Sequence, residues 1–412
     1  MKILLTHITN TYNYGSMMMA ENVITYINKY SKQKNEYYTD CNTDDDIKRL
    51  KEATGYEEIK KDKIICKESN NKVQTLINII RSGHNSKKAS GYYDYIIILG
   101  GDDFSEVYMN NILQRFLTIK AILDLKKLNK NKNVFLLGQT IGPYTGIRKW
   151  LAKRVFRKIT LYTRDDLNLV TMKNEYEINA IPSRDLAFLD LQKQNEYINK
   201  KNEILNKYNL RENNYITIVG TQLIDKYCDD REKFIDMFIK IIKLINAKEP
   251  KKDIVWLSHV TTEPYNLSDN YLLELLNEKE EFKNINKIVI KEKILPVEAR
   301  IILGNSKFVF TCRMHAAVST FQMGKPAICL SYSPKYKGVI SDGLNLSELV
   351  IEAKEKKIWD GNLINEVSEK IDMICSNYEE LTNKINKEVK NSQSVALNTI
   401  KEIVEKMNKG VN

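Results

Sequence analysis

Short apolar runs alternate along this chain with longer stretches in which apolar residues recur at helical spacing. In the first half the runs are residues 3–6, 95–99, 134–137 and 161–163, each rich in Ile, Leu or Val and ending in a small or polar residue. In the second half they are 215–219, 254–258, 287–290, 308–311 and 327–331. Between them, as at 232–245 and 296–303, the spacing is that of amphipathic helices. Strands that are apolar throughout are buried on both faces, which points to parallel sheets covered by helices. The pattern runs through twice, on either side of a charge-rich stretch at 192–214. It predicts two doubly wound, Rossmann-like α/β domains facing a cleft, at 1–190 and 191–380. A final helical segment, 381–412, is then free to pack back on the first domain. In such sheets ligands sit beyond the carboxyl ends of the strands.

Composition narrows the class. With 412 residues, 42% of them hydrophobic and 28% charged, the chain suits a soluble globular protein with two cores. No apolar run reaches the ~18 residues of a membrane span. The opening apolar stretch lacks a small-residue cleavage site, so it reads as a first strand and not a signal peptide. The six cysteines are scattered and none forms a C-x-x-C pair, which argues against a disulfide framework or a zinc site. Reduced thiols in the cytoplasm are the expectation. A net charge of +11 favours anionic partners. Much of the lysine, however, lies in mixed stretches such as Lys200-Lys201-Asn202-Glu203 that read as solvated helix faces. Aromatic and basic residues do not interleave as in nucleic-acid-binding motifs, so no nucleic-acid partner is expected.

The unusual residues gather after the strands. Asn13-Tyr14-Gly15-Ser16 is either a tight strand-to-helix turn or a place where backbone amides meet an anion. Gly100-Gly101-Asp102-Asp103 pairs two glycines, which allow close approach of a ligand, with two carboxylates. Those carboxylates suit sugar hydroxyls or a metal; helix capping is the plainer alternative. Gly138-Gln139-Thr140-Ile141-Gly142-Pro143 offers an amide and a hydroxyl at the same edge. Arg164-Asp165 is a carboxylate-binding arginine or a structural ion pair. Residues 148–158 carry six basic side chains. Ile147, Leu151, Val155 and Ile159 recur there at helical spacing, with Trp150, Ala152 and Phe156 widening the stripe. This amphipathic helix either packs on the sheet with a solvated basic face or lies against an anionic membrane. Most promising are Arg313-Met314-His315, at a helix start after a strand, and Tyr332-Ser333-Pro334-Lys335 after the next strand. Arg313 and His315 are two apart, so they converge only if Arg313 is the non-helical cap.

Gly100-Gly101, Gly138-Gln139-Thr140-Ile141-Gly142-Pro143, Arg164-Asp165, Asp185-Leu186-Ala187-Phe188, Arg313-Met314-His315 and Tyr332-Ser333-Pro334-Lys335 resemble in kind and order the segments of polysaccharide pyruvyl transferases, a resemblance that covers roughly Asn13 to Gly338. The most specific parts are the G-Q-x-I-G-P segment and the R-x-H and Y-x-x-K pair. The resemblance implies a GT-B-like fold. It also implies transfer of the enolpyruvyl unit of phosphoenolpyruvate to a sugar of a cell-surface polysaccharide or its lipid-linked precursor, as a ketal. Arg313 and His315 take the catalytic places, and Arg313, Lys335, Arg164 and Tyr332 hold the donor. Asn13, Gly15, Gly100, Gly101, Asp102, Asp103 and Gln139 are the acceptor-side candidates. Where the family carries a third glycine, this chain has Asp102, which leaves the acceptor sugar open.

Phosphoenolpyruvate carries nearly three negative charges, and a helix N-terminus with Arg313, Lys335 and Arg164 answers them. The chemistry needs a proton donor, for which His315 is the candidate, and neither a metal nor a cofactor. The competing enzyme reading is a sugar-nucleotide-dependent glycosyltransferase on the same two-domain architecture. No acidic ribose-binding motif follows Lys335, which counts against it. The expected location is cytoplasmic, with peripheral contact at the inner membrane face through 148–158 if the acceptor is lipid-linked.

Overall fold

In the computed structural model, residues 1–65, 72–101, 104–106, 112–354 and 356–409 are described. The chain divides into two compact units. The first is Met1–Thr11, Ser16–Leu186 and Val395–Asn412; the second is Tyr12–Gly15 and Ala187–Ser394.

The first unit carries a six-stranded parallel sheet in the order β3-β2-β1-β4-β5-β6. The strands are β1 (Lys2–Thr6), β2 (Glu36–Thr39), β3 (Ile59–Lys61), β4 (Tyr95–Leu99), β5 (Val134–Leu137) and β6 (Thr160–Tyr162). β1 pairs β2 through Ile3↔Tyr37 and β4 through Leu4↔Ile96. Every residue of β5 is buried, as expected of a strand covered on both faces. Leu4, Ile96, Leu136, Leu161, Phe156 and Tyr176 belong to one apolar cluster on this sheet.

The second unit repeats the plan with β12-β11-β10-β7-β8-β9. Its strands are β7 (Tyr215–Val219), β8 (Asp253–Leu257), β9 (Lys287–Ile290), β10 (Val309–Thr311), β11 (Ala327–Ser331) and β12 (Val350–Glu352). The register of β10 on β7 is Val309↔Thr217 and Thr311↔Val219. Phe238 packs its ring on Trp256 and Phe310, at centroid separations of 6.2 and 5.8 Å.

Numbered within its own unit, each sheet reads 3-2-1-4-5-6, the doubly wound Rossmann order. The order reverses between β1 and β4 in one sheet and between β7 and β10 in the other, so the ligand-binding crevices are expected beyond those strand ends. Helix Tyr378–Lys409 closes the described chain, and its last turns pack on the first unit. There the Tyr162 hydroxyl bonds Glu402 and Lys406, both at 3.0 Å, and Tyr95 donates to the Met407 carbonyl at 2.9 Å.

The amphipathic segment at 148–158 folds differently from its stripe. Helix Gly146–Phe156 buries Ala152, Val155 and Phe156, but Ile147 and Trp150 face solvent. Four of the basic residues of segment 148–158 are matched by acids: Arg148 by Glu106, Lys149 by Glu175, and Lys153 and Arg157 by Glu177.

Candidate active site

The second sheet's switch point is built from the ends of β7, β8 and β10. After Thr311 the chain turns at Arg313, whose extended backbone (φ −118°, ψ 117°) makes it the N-cap of helix Met314–Gln322. The Thr311 hydroxyl accepts the Arg313 N–H at 2.8 Å. Arg313 thus occupies the cap position that convergence with His315 requires.

Its guanidinium is held by Asp269, a wholly buried carboxylate on the loop after β8. Nε donates to Asp269 Oδ1 at 3.0 Å and Nη2 pairs the same oxygen. On the other side Nη2 donates to Gln222 Oε1, just past β7, at 3.1 Å. The Nη1 edge makes no hydrogen bond among the described residues. Asp269 also accepts the backbone N–H groups of His259 (3.2 Å) and Val260 (2.9 Å). One carboxylate therefore joins the β8 loop to the cap. Burial works against Arg313's charge, but the Asp269 carboxylate outweighs it and holds the pKa above its usual range. Sequence reading expected Arg313 to add net positive charge. Paired with Asp269 it adds directed N–H donors instead.

Two buried tyrosines brace the same turn. Tyr227 and Tyr336 donate to the Cys312 carbonyl at 2.6 and 2.7 Å. Burial raises both phenols well above their ordinary range and pushes the Cys312 thiol up as well. Tyr332 packs against Tyr227 and Tyr336, and the half-buried Lys335 donates to its hydroxyl at 2.8 Å.

Residues 12–15 belong to this unit. Asn13 bridges Val260, Thr261 N–H bonds the Tyr12 carbonyl (2.9 Å), and Tyr14 N–H bonds the His259 carbonyl (3.2 Å). The Tyr14 ring meets the His259 ring edge-on at 5.3 Å. Gly15 lies against His315: a Cβ there would stand 2.1 Å from His315 Nδ1. Its absent side chain makes room for the imidazole, a role the turn-or-amide reading missed. His259 is wholly buried, and its pKa is driven well below 6.5 by desolvation, then by His315, Arg313 and Arg300.

The first unit gathers a second polar cluster at its own strand ends. His7 follows β1 with a left-handed backbone (φ 70°), held by its own N–H and that of Ile8 on Asp40 at 2.7 and 2.9 Å. Gln139 Nε2 lies 3.1 Å from His7 Nδ1 and bonds the Leu99 carbonyl. Its Oε1 is buried with no hydrogen bond among the described residues. Arg164 is buried here, donating to Thr140 Oγ1 at 2.5 Å and lying 4.0 Å from Asp165. Both contacts fit the structural alternative, and Arg164 belongs to the first unit. Gly100 serves packing: a Cβ would stand 2.7 Å from the Gly138 carbonyl. Thr140 N–H bonds the Gly101 carbonyl at 3.0 Å, and Phe104 bridges Ile141. The two loops thus extend the pairing of β4 with β5. Asp102 and Asp103 lie outside the described residues.

Residues 13–334 match the family described as polysaccharide pyruvyl transferase. The chain belongs to that family. It is 25% identical over 301 residues to the amylovoran biosynthesis protein AmsJ of Erwinia amylovora, covering 71% of this chain and 68% of that one. Among solved structures, UDP-GlcNAc 2-epimerase from Neisseria meningitidis has a TM-score of 0.59 at 11% identity, covering 98% of this chain and all (100%) of the other. The Methanocaldococcus jannaschii enzyme of the same name gives 0.56 at 12%, covering 90% and 91%. At such identities the likeness is one of fold: two Rossmann-like domains of the GT-B kind. Family and relative assign the chain to the transferases of polysaccharide biosynthesis. No helix among the described residues is long and apolar enough to cross a membrane.

Asp269, Gln222, His259, Tyr227 and Tyr336 were not marked by sequence. Asp269 precedes helix Asn270–Asn277 and looks like an ordinary cap, yet it makes no cap bond there. Its partner lies 44 residues away.

Proposed function

We propose that this protein transfers pyruvate from phosphoenolpyruvate to a sugar of a polysaccharide or its lipid-linked precursor, forming a ketal. The observation that carries the reading is Arg313 at the non-helical cap, two residues before His315, in a family member. There its guanidinium is gripped by Asp269 and Gln222, with the Nη1 edge uncommitted among the described residues. That edge, Lys335 and the first N–H groups of helix Met314–Gln322 suit the donor's phosphate and carboxylate. His315 gives a proton to the methylene carbon, and the adjacent carbon becomes cationic. A sugar hydroxyl attacks that carbon and loses its proton, inorganic phosphate leaves with the C–O bonding pair and takes up a proton, and a second hydroxyl closes the ketal on the cation left behind, its proton restoring His315. The Gln139 carbonyl oxygen and His7, in the first unit, suit sugar hydroxyls. Arg164 serves better to hold the Gln139-Thr140 loop than to meet the donor.

The test is phosphate release from phosphoenolpyruvate across a panel of acceptor glycans, free and lipid-linked. His315→Gln is expected to abolish release while calorimetry still detects donor binding. Near-normal release by that variant overturns the role of His315. Turnover of sugar nucleotides, with none of phosphoenolpyruvate, overturns the whole reading in favour of glycosyl transfer.

A further inference from the structure

Three helices follow β4, β5 and β6 in turn: Ile112–Leu128, Gly146–Phe156 and Asp166–Tyr176. Each leaves the carboxyl end of its strand, and they pack side by side. Five of the nine large apolar side chains exposed among the described residues lie on them: Phe116, Leu123, Ile147, Trp150 and Val170. Three of these hold the same place. Phe116, Trp150 and Val170 are each the fifth residue of their helix, and they are 59%, 57% and 54% exposed. Ile147, 70% exposed, is one turn before Trp150. The result is an apolar belt about one helical turn in from the carboxyl edge of the first sheet.

Among the described residues, charge around the belt has one sign to spare. Glu106, Asp124, Asp166, Glu175 and Glu177 are all engaged in ion pairs. Arg115, Arg154 and Lys158 are exposed and make none among the described residues. The Arg154 guanidinium lies over the Trp150 ring at 5.4 Å. Exposed aromatic and aliphatic residues beside unmatched arginine and lysine are the chemistry of an interface with anionic lipid.

We propose that this belt seats the protein on an anionic membrane surface, with Phe116, Ile147, Trp150 and Val170 entering the headgroup boundary. The proposal rests on the reading of the acceptor as lipid-linked. Such seating would bring a lipid-carried glycan to the strand ends where Gln139 and His7 stand.

The experiment uses the full-length protein with phosphatidylcholine vesicles, plain or doped with phosphatidylglycerol. Of the three tryptophans, Trp256 and Trp359 are buried, so a change in tryptophan emission reports Trp150. Doped vesicles are expected to blue-shift emission and to carry the protein in flotation, and plain ones much less. The variant F116S/I147S/W150S should lose flotation by about tenfold or more. Neutralising Arg115, Arg154 and Lys158 should lose about fivefold per residue. Neither should alter melting temperature or phosphate release with a soluble acceptor. Vesicle binding needs no substrate, so it is read separately from failure of the pyruvyl-transfer reading. Equal flotation of wild type and triple variant overturns the proposal. So does the absence of vesicle binding, whether or not the belt then proves to mediate self-association in sedimentation.

Discussion

Asp269 holds Arg313 from the far side of the strand order reversal, with its Oδ1 3.0 Å from the arginine Nε. The pair sets how Arg313 can be tested. Arg313→Ala would strip the partner from a wholly buried carboxylate, a change that costs roughly 3–5 kcal/mol and would confound any loss of donor affinity. Arg313→Gln keeps a donor toward Asp269 and is the cleaner variant. Asp269→Asn is expected to weaken donor binding although it adds positive charge, because it frees the guanidinium to turn. If Asp269 acts through Arg313, the double variant should bind donor no worse than Arg313→Gln alone, by calorimetry. Additive losses would mean that Asp269 acts independently.

Gly15 and His315 give a second test. Alanine at position 15 places a methyl group 2.1 Å from the present Nδ1, so the ring must swing away. Gly15→Ala is expected to lower kcat at least tenfold, on the order of the 10²–10⁴-fold that a displaced proton donor forfeits. KM for the donor should change little. Unchanged kcat would show that the imidazole's present position is irrelevant to turnover.

The bracing of Cys312 predicts non-additive stability. A carbonyl has two lone pairs, and here Tyr227 and Tyr336 both donate to it. Tyr336→Phe alone should cost about 1 kcal/mol. Tyr227→Phe with Tyr336→Phe strips the carbonyl and should cost more than the sum of the single changes, measured as urea midpoints. Simple additivity would mean that another donor replaces them.

What was legible follows from how local each signal is. The strands of both sheet centres are mostly apolar runs closed by polar or glycine residues, and Tyr95–Leu99 and Tyr215–Val219 could be read at sight. The three missed strands, Glu36–Thr39, Ile59–Lys61 and Val350–Glu352, lie toward the sheet margins, where β3 and β12 are two of the four edge strands. They are short and keep polar residues, so periodicity does not mark them. The cap position of Arg313 was readable from its strand-to-helix context. Its pairing was not, because Asp269 meets it only through the fold. The stripe through Ile147 and Trp150 could be read as one face, but not its exposure: both side chains face solvent. Helical spacing says which residues share a face, not what covers that face.

His259 makes the last prediction, through pH. Its ring is buried, and desolvation holds its pKa well below 6.5. The folded chain therefore keeps His259 neutral where the unfolded chain binds a proton. Unfolding takes up that proton as pH falls below about 6.5, so stability drops on the acid side by as much as ~1.4 kcal/mol per pH unit. Above the unfolded pKa the penalty vanishes. Asp40, whose carboxyl burial raises, works in the opposite direction at lower pH, so wild type alone cannot isolate the histidine. Comparison with His259→Gln can. Melting temperature between pH 7 and 5 should fall less steeply in the variant than in wild type. Parallel curves would mean that His259 titrates alike in both states and that its burial leaves no mark on stability.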